Sequence, residues 1–372
     1  MGSAAACRLA ERGQRVLALE QFQVGHSRGS SHGSSRIIRL AYFEHPAYVP
    51  LLIRAYELWR QLERDSGVPL LTTTGGLMIG RGGSDVLEGS VRSAREHQLA
   101  HEVLESGEIR RRFPALQPAS DERALYETQA GVLRPEACVR AHVECAVRAG
   151  ATCVEQIAMT NWTANATGDG VVVETSDGRF EAGRLVLCPG AWAPMLLQLP
   201  ALPLTVERQV LHWFDPRGGI EPFESGRLPV YIWDCGHDLQ FYGFPAQTGG
   251  PAGVKVAFFR SPVADVCTAD TVERTVRPDE IVRMREALTT RLPALAAGVH
   301  VESLVCLYTL TPDRHFAIGT HPDHSQVTIA SPCSGHGFKF ASVIGEIVAD
   351  LAIDGRTRHP VALFDVSRFS TI

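Results

Sequence analysis

Apolar positions recur along the chain with two periods, one helical and one strand-like. Residues 2–13 (GSAAACRLAERG) place small apolar side chains at helical spacing and stop at Gly13, which predicts a helix able to pack closely on a sheet. Residues 16–19 follow as a short apolar run, as in a parallel strand buried on both faces. The stretch VPLLIRAYELWRQLERDSG, residues 49–67, has the period of an amphipathic helix, and 70–80 reads as strand and turn. A helix over 135–150 opens with Pro and closes with Gly, leading to an apolar strand at 152–155. VVVETSDGRFEA predicts a hairpin turning at Asp177 and Gly178, which feeds an apolar strand over 185–188. Several strand-like runs and one helix, 278–292, fill the region from 205 to 300. The strand 327–330, the loop SPCSGHGFK and a final helix complete the pattern. In that helix Phe340, Val343, Ile344, Ile347, Val348 and Leu351 share a face, and Gly355 ends it.

Helix–strand units at the start, middle and end, with a β-rich stretch between them, predict a mixed α/β fold. Its nucleotide-type domain is discontinuous in sequence, and a second domain is threaded through it. Gly2 opens the first helix and Glu20 ends the next strand. Those are the roles of the last glycine and the ribose-binding acid of a Rossmann fingerprint, roughly 20 residues apart. Any α/β domain could supply this helix–strand pair, so that reading stays open here.

Composition narrows the class. A length of 372 residues favours two domains. A net charge of −5 without acidic or basic tracts argues against a nucleic-acid or membrane-surface partner. No apolar run approaches a membrane span and no secretory signal is visible. Nine cysteines without zinc-type pairs suit reduced thiols in a cytoplasm. His315, His321 and His324 lack a shared helical face because Pro322 intervenes, so no metal is expected.

One bias is sharper. Of 36 basic residues only Lys255 and Lys339 are lysines. A chain that uses arginine wherever a cation suffices keeps its two ammonium groups as candidates for chemistry that a planar guanidinium does not supply. Lys339 closes the loop SGHGFK at a strand-to-helix junction, where Gly335, His336 and Gly337 admit close backbone approach and a helix N-terminus favours negative charge. A second Gly/Ser-rich stretch, SRGSSHGSSR, runs into IIR, so that Arg36 and Arg39 bracket two isoleucines and offer anion binding.

GSSHGSSRIIR, FYGFP, GVKV, CLYTLTPDRHF and SGHGFKF occur in this order, and together the sequence resembles the monomeric sarcosine oxidase family, which includes N-methyltryptophan and pipecolate oxidases. The likeness runs from Gly2 to the closing LFDVSRF. It implies a Rossmann-like FAD-binding domain (1–70, 131–205 and 300–372) and an antiparallel-sheet substrate domain (71–130 and 206–299). It further implies a cytoplasmic, monomeric enzyme that oxidises a secondary amine bearing a carboxylate and uses O2, giving hydrogen peroxide. FAD would be covalently bound through Cys306, with Cys333 read as packing. Arg39 and Lys339 would hold the substrate carboxylate, and Lys255 would activate O2. His32 and Arg36 would line the flavin, and Tyr242 and Tyr308 the substrate. Gly2, Glu20, Gly190, Trp192, Gly335, His336 and Gly337 would complete the cofactor site. Two departures stand out. The family carries a histidine four residues beyond the oxygen-activating lysine, where this chain has Phe259, which suggests a more apolar pocket. The family's first strand and first two fingerprint glycines are also not seen, so the sheet is expected to lack that strand. A non-catalytic flavoprotein, or an FAD-dependent amino acid dehydrogenase not using O2, is the alternative.

Overall fold

The structure, a computed structural model, describes residues 1–331 and 334–369. The first helix, Gly2–Glu11, packs against the helices Pro135–Arg148 and Ala341–Asp354. Its small side chains make this possible, since Ala4, Ala5, Ala6, Cys7 and Ala10 are all buried. Contact with the last helix is backbone-close: a Cβ on Gly345 would stand 2.7 Å from the Ala4 carbonyl group. Val49–Ser66 covers the same core with Leu51, Leu52, Ala55, Leu58, Trp59 and Leu62, and Gly67 ends it in the left-handed conformation.

These helices enclose two short sheets. Leu17–Leu19 pairs in parallel with Thr152–Val154, and Leu185–Leu187 pairs in parallel with His324–Ser331, which continues antiparallel to Ala317–His321. Among the described residues no strand hydrogen-bonds between the two sheets. The predicted hairpin forms with Thr175 opposite Gly178. The helix expected over 278–292 is shorter, Pro278–Leu288, because Leu292 precedes Pro293 and leaves helical geometry (φ −136°, ψ 68°) before a single turn, Pro293–Ala296.

Among the described residues the large sheet has nine strands. Its order runs from Val266–Cys267 through Thr205–Asp215, Val254–Arg260, Gln240–Gly243, Val230–Asp234, Gly76–Arg81 and Glu122–Glu127 to Glu102–Glu105. Val299–Leu310 also pairs along Thr205–Asp215. All pairings are antiparallel except that between Val230–Asp234 and Gly76–Arg81. Register decides what this sheet presents, because directly paired residues share a face and alternate residues return to it. Lys255 faces Trp213, Ala257 pairs with Leu211 and with Tyr242, Cys306 faces Gln209, and Tyr308 faces Glu207. Lys255, Tyr242, Cys306 and Tyr308 therefore emerge on one face, although 66 residues of chain separate the first and last of them in position. The opposite face, with Val254, Val256, Phe214 and Trp233, is sealed by Met284 and Leu288 of Pro278–Leu288.

Candidate active site

Lys255 is 2% exposed. Its ammonium donates to the carbonyl oxygens of Gly33 (2.7 Å) and Ser35 (3.0 Å) and to Ser35 Oγ (3.1 Å). It also lies 4.9 Å from the Phe244 ring centre and 5.4 Å from that of Trp213. Burial pushes its pKa well below the usual lysine value and Arg36 adds to the depression, while Cys306 and Glu136 oppose it. Gly33 has φ +87°, and a Cβ there would stand 2.5 Å from Leu211 and 3.5 Å from the ammonium, so the turn is confined to glycine.

Cys306 is buried beside the same loop. Arg36 reaches its sulfur at 3.7 Å while donating to the carbonyls of Ser30 and Ser35, both at 2.7 Å. Ser30 Oγ in turn ties the loop to the Leu307 carbonyl at 2.6 Å. His32 is buried with neither ring nitrogen in a well-formed hydrogen bond. Burial first, then Arg36, Lys255 and Arg274, lower its pKa to about 3, so it is neutral. Tyr242 and Tyr308 are neighbours. Burial raises both phenols, and the bond between their hydroxyls draws Tyr242 back and Tyr308 further up. Gly335, at φ +80°, lies over the Tyr308 ring, where a Cβ would come within 2.8 Å.

A second cationic group adjoins the first. Arg39 is 1% exposed, with its guanidinium stacked 4.1 Å from the Tyr42 ring centre and 4.4 Å from that of Phe43. It donates to Glu44 and to the Ala41 carbonyl, at 2.7 and 2.8 Å, leaving Nε of Arg39 and Oε1 of Glu44 without partners. Lys339, 6% exposed, donates to the His336 carbonyl (2.8 Å) and to the Tyr42 hydroxyl (3.4 Å). Burial, then Arg39, lower its pKa to about 7, with Glu44 opposing and Arg36 reinforcing. His336 bridges Tyr42 (2.6 Å) and the Arg314 carbonyl (3.0 Å), and burial holds it near 4. Gly337 precedes the turn Phe338–Phe340 that leads into the last helix.

The remaining sequence candidates lie at the ends of the parallel strands. Gly2 approaches Cys188, and Glu20 accepts from the Phe22 amide at 2.9 Å with His26 at 3.4 Å. Gly190, at φ +56°, accepts from Thr309 at 3.3 Å. Trp192 stands apart from the lysines, bonded to Asp270 (2.8 Å) and packed on Phe22. Cys333 lies outside the described residues. Phe259 is the extra residue of a bulge between Gln240–Gly243 and Val254–Arg260, with its ring 6.4 Å from Tyr308 and 6.1 Å from Phe43. Sequence reasoning missed Tyr42, Glu44 and Glu136. Glu44 carried a signal, as the one acid of an otherwise apolar and aromatic segment five residues past Arg39. Glu136 carried none, because an acid in the first turn of a helix is ordinary.

This set fits FAD on two observations of the protein itself. The buried His32 ring makes no well-formed hydrogen bond, its polar approach being to the Gly29 backbone, and glycine at 335 keeps the space against Tyr308 free of a side chain. Arg36, His32 and Cys306 could hold its ring and Gly2 and Glu20 its ribose end. Among the described residues no cluster of His, Cys, Asp and Glu could hold a metal ion. No helix among them is long and apolar enough to cross a membrane.

Comparison with known proteins shows the family of the chain. Residues 1–351 match the family described as FAD dependent oxidoreductase. The chain is 51% identical over 371 residues to a monomeric sarcosine oxidase of Streptomyces avermitilis, covering 100% of this chain and 95% of that one. It is 32% identical over 378 residues to N-methyl-L-tryptophan oxidase of Escherichia coli K12, covering 99% and 96%. Among solved structures, NikD, an amino acid oxidase of nikkomycin biosynthesis, superposes with a TM-score of 0.82 at 24% identity, over 98% of this chain and 94% of that one.

Proposed function

Because the chain belongs to the FAD dependent oxidoreductase family, we propose that it is an oxidase of secondary α-amino acids, either N-methylated or cyclic. The observation that carries this reading is the placement of the two lysines. Lys339 adjoins the Arg39 guanidinium, a pair suited to a carboxylate, while Lys255 lies on the sheet face that also presents Cys306. The names of the sarcosine and N-methyltryptophan oxidases supply the amine half of the substrate. Bound FAD would supply two-electron oxidation of the carbon–nitrogen bond of the amine, with an imine as product and O2 as the final acceptor, reduced to hydrogen peroxide.

The chain's own groups would do the rest. Arg39 and Lys339 would fix the substrate carboxylate, and the rings of Tyr242, Tyr308 and Phe259 would enclose its side chain in apolar surroundings. Lys255 would place a buried positive charge where negative charge develops on dioxygen. Cys306 would carry the covalent link to the cofactor, with the Arg36 guanidinium 3.7 Å from its sulfur. His32 would contact the ring as a neutral group. Gly2 and Glu20 would meet the ribose, and Gly190, Trp192, Gly335, His336 and Gly337 would frame the remainder. Segments 1–70, 131–205 and 300–372 are read as the FAD-binding domain, and 71–130 and 206–299 as the substrate domain. The strand Val299–Leu310 carries Cys306 from the first of these into the large sheet. A reducing cytoplasm suits the unpaired state of the eight described cysteines, and the family resemblance suggests a monomer.

Peroxide release from a panel of N-methyl and cyclic amino acids, each beside its primary-amine counterpart, tests the reading. Turnover of the secondary amines with one peroxide per substrate is expected. Reduction of the flavin without peroxide would instead make the protein a dehydrogenase.

A further inference from the structure

Glu136 stands in the first turn of Pro135–Arg148, far in sequence from both lysines. Its Oε1 accepts hydrogen bonds from the amides of Gly33 (2.7 Å) and Ser34 (3.1 Å). The Ser34 N–H and the Gly33 carbonyl belong to one peptide group, and that carbonyl is the nearest acceptor of the Lys255 ammonium, at 2.7 Å. A carboxylate, a single peptide group and an ammonium thus form one chain of hydrogen bonds. Each bond polarises the next, and polarisation counts most where water is excluded.

We propose that Glu136 is a positioning residue for Lys255, holding its charge and orientation through the Gly33–Ser34 peptide group. Hydrogen-bond counting alone does not fix that charge. Two of the three partners of Lys255 are carbonyl oxygens, which require donors, but the third is the Ser35 hydroxyl, which can donate to a neutral amine as well as accept from an ammonium. The surrounding charges decide. Arg36 and His32 face Lys255 from the Gly/Ser-rich segment, Cys306 from Val299–Leu310, and Glu136 from its helix, with Trp213 and Phe244 adding ring faces. Burial and Arg36 drive the proton off, Cys306 and Glu136 oppose them, and Glu136 is the carboxylate of that opposing pair. The same contacts fix the strained turn, where Gly33 and Ser34 have φ of +87° and +66°, so the ammonium meets a fixed pair of carbonyls. The inference rests on the proposed role of Lys255 in oxygen reduction only for its consequence in turnover.

The variant to make is Glu136→Gln, whose amide oxygen can still accept from both N–H groups while the charge is removed. Lysine labelled with 13C and 15N gives two side-chain signals in the holoenzyme, one per lysine, assigned with Lys339→Arg. The Lys255 midpoint should fall by about one pH unit, tenfold in its proton affinity, while that of Lys339 stays in place as an internal check on the fold. A Lys255 signal that titrates identically in both proteins, or in neither, overturns the proposal, as do equal shifts of the two lysines. Reoxidation of the reduced enzyme by O2 should slow several-fold at the pH where Lys255 has lost its proton, with anaerobic flavin reduction unchanged. A shifted Lys255 signal with unaltered reoxidation at every pH would leave the coupling standing and refute the oxygen role of Lys255.

Discussion

Arg39 and Glu44 form an ion pair of 2.7 Å with side chains 1% and 6% exposed, at the place where the substrate carboxylate is proposed to bind. Burial drives the Glu44 carboxyl upward, but Arg39, His336 and Lys339 outweigh it and hold the group below its usual range. Removing one partner of such a pair leaves the other charged, buried and unpaired, which costs about 3–5 kcal/mol. Glu44→Gln should therefore destabilise the protein by that order, measured by denaturant titration. A loss below about 1 kcal/mol would mean that the Arg39 charge finds its compensation elsewhere.

If Lys339 holds the substrate carboxylate as proposed, carboxylate binding should depend on pH. Its folded pKa of about 7 is lowered from an ordinary lysine value, so the ammonium is half-formed near pH 7, fully formed only well below it, and lost as pH rises. The dissociation constant of acetate, followed through the flavin spectrum, should flatten a unit or more below pH 7 and bend near it. Above it, affinity should weaken by up to tenfold per unit, and Lys339→Met should remove the dependence. Affinity constant to pH 9 in the unsubstituted protein would separate Lys339 from anion binding.

Covalent flavin at Cys306 predicts that acid-denatured, washed protein stays yellow and that Cys306→Ala loses all of that colour. Colour surviving the substitution would place the link on another residue.

Phe259 touches Tyr308 and Phe43 by ring edges. Phe259→His should shift kcat/KM toward sarcosine and away from N-methyl amino acids with apolar side chains, by on the order of tenfold in their ratio. An unchanged ratio would remove Phe259 from the substrate pocket.

Much of this fold was legible in the chain. Helical spacing from Val343 to Leu351, the turn residues Asp177 and Gly178, and the glycine closing Val49–Ser66 act locally, and each element formed where its pattern predicted. The helix over 278–292 was overestimated because Leu292 yields to Pro293. The candidate site was legible only as a list of residues, not as an arrangement. Lys255 and Cys306 share a face only through the register of Thr205–Asp215, which pairs with both of their strands, and no short-range pattern encodes a register set across 50 residues of chain. Glu136 acts on backbone amides 103 and 102 residues away in sequence, and the Glu127 carboxylate caps the Leu40 and Ala41 amides 87 and 86 residues away. Composition is silent about such contacts.

The scarcity of lysine has a consequence for handling the molecule. A lysine-specific protease finds two internal targets in the whole chain, and the fold seals both, Lys255 behind the large sheet's inner face and Lys339 beneath Tyr42 and the final helix. Arginine-directed enzymes would nick exposed side chains throughout and report little. A lysine-directed one has to wait for the walls around the chemistry to part, so its first cut is a clock for local opening of the active site.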